Sequence, residues 1–169
     1  RALAAGTGDP TDLTGTQVAA IAGGTLYIDN VGAGNVGVGE DTLATYTVPA
    51  SRLSTRATLW FEAAGTYGAN SNSKRIRVYF GGTGGTAIFD QTVTTIGGSW
   101  FIRGRIVAVG SSAERTTVEY QHTGQPAALQ YTEHTEALAG ALDLLVTGEA
   151  TGDDDIDLRT FVVGWTPPV

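Results

Sequence analysis

The sequence predicts an all-β protein, an antiparallel, jelly-roll-like β-sandwich of about eight strands. Short segments alternate apolar and polar side chains at period two, which is typical of half-buried strands. Turns rich in glycine, of which the chain holds 24, separate these segments, and helical periodicity is nearly absent. The irregular connections favour a jelly roll over an immunoglobulin-like sandwich, whose cysteine signature this cysteine-free chain lacks.

The clearest predicted strand lies within residues 73–82, where Ile76, Val78 and Phe80 form one apolar face and Arg75, Arg77 and Tyr79 the opposite polar face. Glycine pairs follow it and mark a turn. The same reasoning predicts further strands, in chain order, at 26–28, 42–48, 56–67, 86–93, 100–109, 115–122, 128–132, 141–147 and 156–165. The segment 128–132 is expected at a sheet edge.

The chain divides into two parts in this interpretation. Residues 1–25 form an N-terminal arm or connector, extended or partly helical over 14–22, with too few apolar side chains to fold alone. Residues 26–169 form the sandwich domain. A length of 169 residues suits one domain with its own core. Because the chain lacks Met and begins with Arg, we expect a processed chain or part of a longer one.

Composition excludes several classes of function. A net charge of -7 and a pI near 4.6 argue against binding to a nucleic-acid backbone, which needs clustered Lys and Arg. The absence of cysteine excludes disulfides, thiolate metal sites and a cysteine nucleophile. No apolar run approaches the ~20 residues that a membrane-spanning helix needs, so membrane insertion is not expected.

Two groups of side chains are candidates for metal ligands. Asp153, Asp154, Asp155 and Asp157 offer the oxygen ligands that calcium prefers, but EF-hand spacing is missing. An acidic solvated turn is the preferred interpretation. His122 and His134 lie in no metal or hydrolase motif, and surface or strand-end positions are expected for both.

Other residue types suggest chemistry less strongly. Glu62, Glu119, Glu133 and Glu136 include pairs that glycoside hydrolysis could use, yet Glu62 and Glu119 fall on predicted outer faces of different strands. The glycine clusters at 32–35 and 81–85 lack the ending of a phosphate-binding loop and indicate turns. No catalytic, cofactor-binding or metal-binding residue, and no cofactor, is therefore predicted.

Aromatic residues are candidates for core packing, subunit contacts or sugar stacking. The set comprises Trp60, Trp100, Trp165, Tyr27, Tyr46, Tyr67, Tyr79, Tyr120 and Tyr131. Trp100 and Trp165 are expected in the core or in a subunit contact. Trp60 lies opposite Leu59 and Phe61 and is the aromatic that a one-sided core explains least.

Four segments in this order resemble the C-terminal β module of tailed-bacteriophage virion structural proteins of the tail-fibre, tail-spike or minor structural type. They are residues 41–50 (DTLATYTVPA), 70–82 (NSNSKRIRVYFGG), 98–106 (GSWFIRGRI) and 145–151 (LVTGEAT). Residues 5–17 are similar to the linker that precedes such modules. The run 152–157 is more acidic than the turn typical of that position, and the arm is short, as in a short fibre, a head fibre or a decoration protein.

The resemblance implies a non-enzymatic virion component, commonly a homotrimer, exposed on tail or capsid and touching host-surface glycan. Residues 1–25 would then contact other virion proteins. Two alternatives stay open: a capsid decoration or cement protein of the same fold, and a glycan-binding or glycan-degrading spike domain. Strands with apolar groups on both faces, at 144–146 and 161–165, fit burial against sister copies. They equally fit strands buried on both sides within one domain.

Overall fold

The computed structural model describes residues 23–168, which fold into antiparallel strands with no helix in that range. The strands are β1 (Gly24–Asp29), β2 (Ala33–Gly34), β3 (Gly39–Val48), β4 (Thr58–Tyr67), β5 (Lys74–Phe80), β6 (Thr86–Val93), β7 (Ser99–Ala108), β8 (Glu114–His122), β9 (Ala128–His134), β10 (Leu142–Ala150) and β11 (Ile156–Thr166). The predicted arm helix at 14–22 lies outside the described residues.

Two sheets face each other. The larger has seven strands in the order β1-β11-β4-β7-β8-β9, with β2 also paired to β11, and the smaller has the order β3-β10-β5-β6. The last two strands complete both sheets, because β10 lies between β3 and β5 while β11 lies between β1 and β4. This arrangement confirms the predicted all-β sandwich with jelly-roll-like crossings between its layers.

The inner faces carry the apolar halves of the alternating segments. In β5, Ile76, Val78 and Phe80 are fully buried, as the period-two pattern predicts. The same pattern buries Leu59 and Phe61 in β4. The other inward residues of the large sheet include Ala63, Ile102, Ile106, Val118, Tyr120, Phe161 and Val163. One continuous core therefore fills the space between the sheets.

The observed strands differ from the predicted ones mainly in the segment between β1 and β3. The glycine-rich segment after β1 contains the short strand β2, which hydrogen-bonds to β11. The structure has eleven strands, more than the eight or so expected for the sandwich, and of these only β2 has no counterpart among the predicted segments. The prediction that residues 128–132 form an edge strand is confirmed by β9.

Most apolar residues on two-sided strands are covered within the chain. Leu144, Leu145 and Val146 are all buried, as are Phe161 and Val163. A second copy is therefore not needed to cover them, and the single-domain interpretation is right for these residues. The large apolar side chains that stay exposed in the described range are Ile28, Val31, Val36, Val38, Ile96, Val109, Leu129 and Tyr131.

Candidate functional site

The outer face of the seven-stranded sheet aligns side chains from four neighbouring strands. Trp60 on β4 is the register partner of Arg105 on β7. Thr117 on β8 pairs with Arg105 on one side and with Tyr131 of β9 on the other. Because register partners point to the same face, these four side chains form a row that crosses the strands.

A second row runs beside the first. Glu62 pairs with Arg103, and Glu119 pairs with Arg103 and with Leu129. Between the rows lies an open depression of about 460 Å³. Its lining consists of Trp60, Phe61, Glu62, Arg103, Gly104, Arg105, Thr117, Glu119 and Leu129.

Trp60 forms one wall of the depression. A Cβ atom at its register partner Gly164 would overlap the indole ring, so the glycine allows the ring to lie against the backbone of β11. On the opposite side, Leu129 and Tyr131 are 71% and 60% exposed. Apolar and aromatic side chains therefore stand on both sides of a polar floor.

The charges on the floor are unequally paired. Arg103 donates to Glu119 Oε2 from Nε at 2.9 Å and from a terminal nitrogen at 2.6 Å. Arg105 is exposed and has no salt-bridge partner among residues 23–168, and the same is true of Glu62. The depression thus offers one cation and one carboxylate that are free to meet a ligand.

The outer face of the smaller sheet is different, because its charges satisfy one another. The side chain of Arg77 is only 9% exposed and lies 2.6 Å from both Glu40 and Glu149. Burial opposes ionisation of Glu40, but hydrogen bonds from Thr147, Arg77 and Tyr79 keep the pKa of its carboxyl below the usual range. This network joins β3, β5 and β10 and engages both terminal nitrogens of Arg77 with carboxylates.

The acidic run at 153–157 is divided between separate partners. Asp155 is buried and accepts hydrogen bonds from the Asn70 side chain, from Asn72 Nδ2 at 2.8 Å and from the Gly152 N–H at 3.0 Å. Burial opposes its ionisation, yet these bonds and the charge of Lys74 hold its pKa below the usual value. The predicted solvated turn is therefore wrong for Asp155.

Lys74 supplies the cation at this end of the sandwich. It is fully buried, and its Nζ lies 2.8 Å from Asn70 O, 3.0 Å from Asn70 Oδ1, and 3.1 Å from both Asn72 O and Thr95 O. A lysine ammonium thus occupies an oxygen cage. Within the described part of the chain, no three His, Cys, Asp or Glu side chains converge on a metal-binding position.

The two histidines lie in different environments. His122 ends β8 and His134 ends β9, so both lie at strand ends, the second of the two expected positions; His122 is partly exposed, whereas His134 is buried. His134 Nε2 lies 2.8 Å from Thr116 Oγ1, and His134 Nδ1 lies 3.3 Å from Glu114 Oε2. Hydrolases use the same order of hydroxyl, imidazole and carboxylate. Here Thr116 is fully buried, so no substrate reaches its hydroxyl.

The Glu114–His134 pair is nevertheless electrostatically unusual. Burial raises the pKa of Glu114 from 4.5 to about 7, and burial lowers the pKa of His134. Glu114 Oε2 accepts the backbone N–H of Glu136 at 3.0 Å, while Glu114 Oε1 has no hydrogen-bond partner. Desolvation of this pair makes local stability depend on pH.

The remaining glutamate candidates do not form one group. Glu62 and Glu119 line the same depression, as their predicted outward orientation allows, but Arg103 holds Glu119. Glu133 accepts hydrogen bonds from Arg115 and Tyr131, and Glu136 accepts the backbone N–H of Thr86. The glycine cluster at 81–85 forms the turn between β5 and β6, as predicted.

Sequence reasoning missed three buried polar residues that shape the protein. Lys74 has the same parity as Ile76 and Val78, and Glu114 has the same parity as Val118. The period-two alternation would therefore have predicted that both side chains lie on the inner face. Asn35 had no such signal, because it lies in a loop, where its side chain bonds Gly152 O and the Ile156 N–H at 2.8 Å each.

Comparisons with known proteins complete the description of the site. No protein-family model, curated protein or solved structure matches this chain. Across residues 23–168, the structure holds no helix of the length and apolar character needed to span a bilayer.

Proposed function

We propose that this chain is a non-enzymatic adhesion module that binds carbohydrate on the outer face of its seven-stranded sheet. The observation that carries the proposal is the open depression between the two side-chain rows, with Trp60 on one side, Leu129 on the other, and the exposed Tyr131 at the end of the first row. Its floor carries Glu62 and Arg105, neither of which forms a salt bridge with another residue of the range 23–168.

The chemistry of this surface suits a sugar chain. A pyranose ring has an apolar C–H face that stacks on an aromatic ring, and it has hydroxyl groups that need donors and acceptors. Trp60 offers the first, while Glu62, Arg105 and Thr117 offer the second. An open surface that crosses several strands also admits an internal segment of a polymer, which an enclosed pocket would exclude.

The setting we propose is the exposed surface of a tailed-bacteriophage particle. The support for this is the resemblance of residues 41–50, 70–82, 98–106 and 145–151 to virion structural modules. A homotrimer, fixed to other virion proteins through residues 1–25, would multiply a modest affinity for host-surface glycan by avidity. Its mass would be about three times the chain mass of 17.5 kDa. A capsid decoration protein of the same fold remains the alternative setting.

Affinity electrophoresis tests the binding function. Gels containing polygalacturonate, alginate, hyaluronate, dextran, galactomannan or mannan should retard the intact chain in at least one case. Trp60→Ala is expected to weaken that retardation about tenfold or more, because it removes the stacking wall. Tyr79→Ala is the matched control, since it removes an aromatic from the outer face of the other sheet.

Three outcomes would contradict the proposal. One is no retardation by any of the six polysaccharides. Another is equal loss of retardation in the Trp60 and Tyr79 variants. The third is a Trp60 variant that loses oligomer mass in light scattering, which would identify the surface as a subunit contact. Appearance of new reducing ends during incubation would replace adhesion by glycan cleavage, with Glu62 as the first residue to test.

A further inference from the structure

We infer that the ligand of this surface is an acidic saccharide, with a chain lying across the strands and a carboxylate on Arg105. This inference rests on the proposed function. It adds the chemical class of the ligand and the direction in which the bound chain lies across the strands. Arg105 lies in the same row as Trp60 and Thr117, so a saccharide chain that stacks on the indole and follows the row passes above the guanidinium.

Charge pairing on the sheet favours Arg105 as the anion contact. Arg103 is engaged by Glu119, and Arg115 is engaged by Glu133 at 3.1 Å. Arg105 lies on the same sheet face, two residues along β7 from Arg103, and has no such partner in the described range. A guanidinium with its planar donors free binds a carboxylate in two-pronged fashion. A neutral sugar would leave this donor set to water.

The register also gives the direction and the length of the bound segment. Trp60, Arg105, Thr117 and Tyr131 lie on four consecutive strands. Three interstrand spacings of ~4.8 Å separate the row's ends, about 14 Å, which accommodates roughly three pyranose rings. A chain parallel to the strands would instead meet either Trp60 or Tyr131, because these residues lie on opposite sides of the depression.

The net charge of the protein limits how strongly an acidic saccharide is expected to bind. The net charge of -7 repels polyanions at long range, so the attraction must be local to Arg105. Glu62, on the neighbouring row, accepts hydrogen bonds from hydroxyl groups and disfavours a second carboxylate beside it. We therefore expect one carboxylate contact in each bound segment, with moderate sensitivity to salt.

Carboxyl-reduced polysaccharides provide the test, because reduction converts each uronic acid to its neutral parent sugar and keeps the linkage. Polygalacturonate, alginate and hyaluronate are compared with their reduced forms in affinity electrophoresis of the intact chain. At least one acidic form should retard the chain about tenfold more strongly than its reduced form. Arg105→Gln should abolish that preference, because a carboxylate contact to arginine contributes about this factor.

Arg115→Gln is the matched control, since it removes the same charge from the same sheet face outside the depression. It should retain the preference. Oligomers of the retained polysaccharide should gain affinity up to about three residues and little beyond, following the row length. Equal retardation by acidic and reduced forms, or a preference that survives in Arg105→Gln, would overturn the inference while the proposed binding function stands. No retardation by any polysaccharide overturns both.

Discussion

Replacing Lys74 by Met is expected to destabilise the protein by about 3–5 kcal/mol, because it removes the only ammonium group from a buried oxygen cage. Met preserves most of the side-chain length but donates no hydrogen bond. The carbonyl oxygens of Asn70, Asn72 and Thr95 would lose their donor, and the buried Asp155 carboxylate would lose its neighbouring cation. Urea unfolding at neutral pH measures the loss.

Two comparisons make this prediction specific. Arg75→Met changes the neighbouring residue, whose ion pair with Asp90 is partly exposed, and should cost less than about 1 kcal/mol. The double variant Lys74→Met with Asp155→Asn should lose less than the sum of the single changes, because each single change leaves the other group uncompensated. A Lys74→Met protein within about 1 kcal/mol of the parent would contradict the role assigned to the cage.

Replacing Glu114 by Gln is expected to change how stability depends on pH. The unfolded chain releases the Glu114 proton near pH 4.5, whereas the folded protein holds it up to about pH 7. The parent protein therefore loses stability from this group as pH rises through that interval. At ~1.4 kcal/mol per pH unit over this interval, Glu114→Gln should gain roughly 3 kcal/mol relative to the parent between pH 4 and pH 8.

His134 contributes with the opposite sign. Its pKa is lowered on folding, so its contribution is present above its ordinary value near 6.5 and is lost as pH falls through the folded value. Both proteins keep His134, and the difference between them isolates Glu114. Denaturant unfolding at pH 4, 6 and 8 gives the comparison.

The control for this prediction is Glu133→Gln. Glu133 is exposed on β9 beside His134, and hydrogen bonds and charge from Tyr131 and Arg115 lower its pKa. Its titration therefore falls at the acid end of the range, and between pH 6 and pH 8 the variant should follow the parent in the shape of its pH curve. Parallel curves for Glu114→Gln and the parent would show that Glu114 titrates normally and would contradict the desolvated pair.

Period-two alternation was sufficient to predict the strands and their buried faces. Ile76, Val78 and Phe80 lie inward as expected. Trp60 lies on the outer face, in agreement with the prediction that a one-sided core does not account for it. Lys74 has the parity of these inward residues, but a charged side chain is seldom fully buried, so alternation alone does not predict its burial. Tertiary contacts decided this position, because three loop carbonyls meet at one end of the sandwich.

The candidate site could not be assembled from sequence in the same way. Trp60, Arg105 and Tyr131 are separated by 45 and 26 residues along the chain, and only the successive pairing of β4 with β7, β7 with β8 and β8 with β9 brings them into one row. Register between distant strands depends on turn geometry and core packing, which a local pattern does not encode. For the same reason, the local pattern could not predict the Glu114–His134 pair, which joins β8 to β9.

The most direct test of the binding surface is an amide chemical-shift titration of the isotopically labelled protein with three-residue oligomers from polygalacturonate, alginate and hyaluronate. At least one oligomer should shift the Trp60 indole N–H and the amide signals of Arg105 and Thr117, and leave Arg77 and Tyr79 on the other sheet unchanged. Shifts confined to the smaller sheet, or no shifts with any of the three oligomers, would contradict a saccharide site on the seven-stranded sheet.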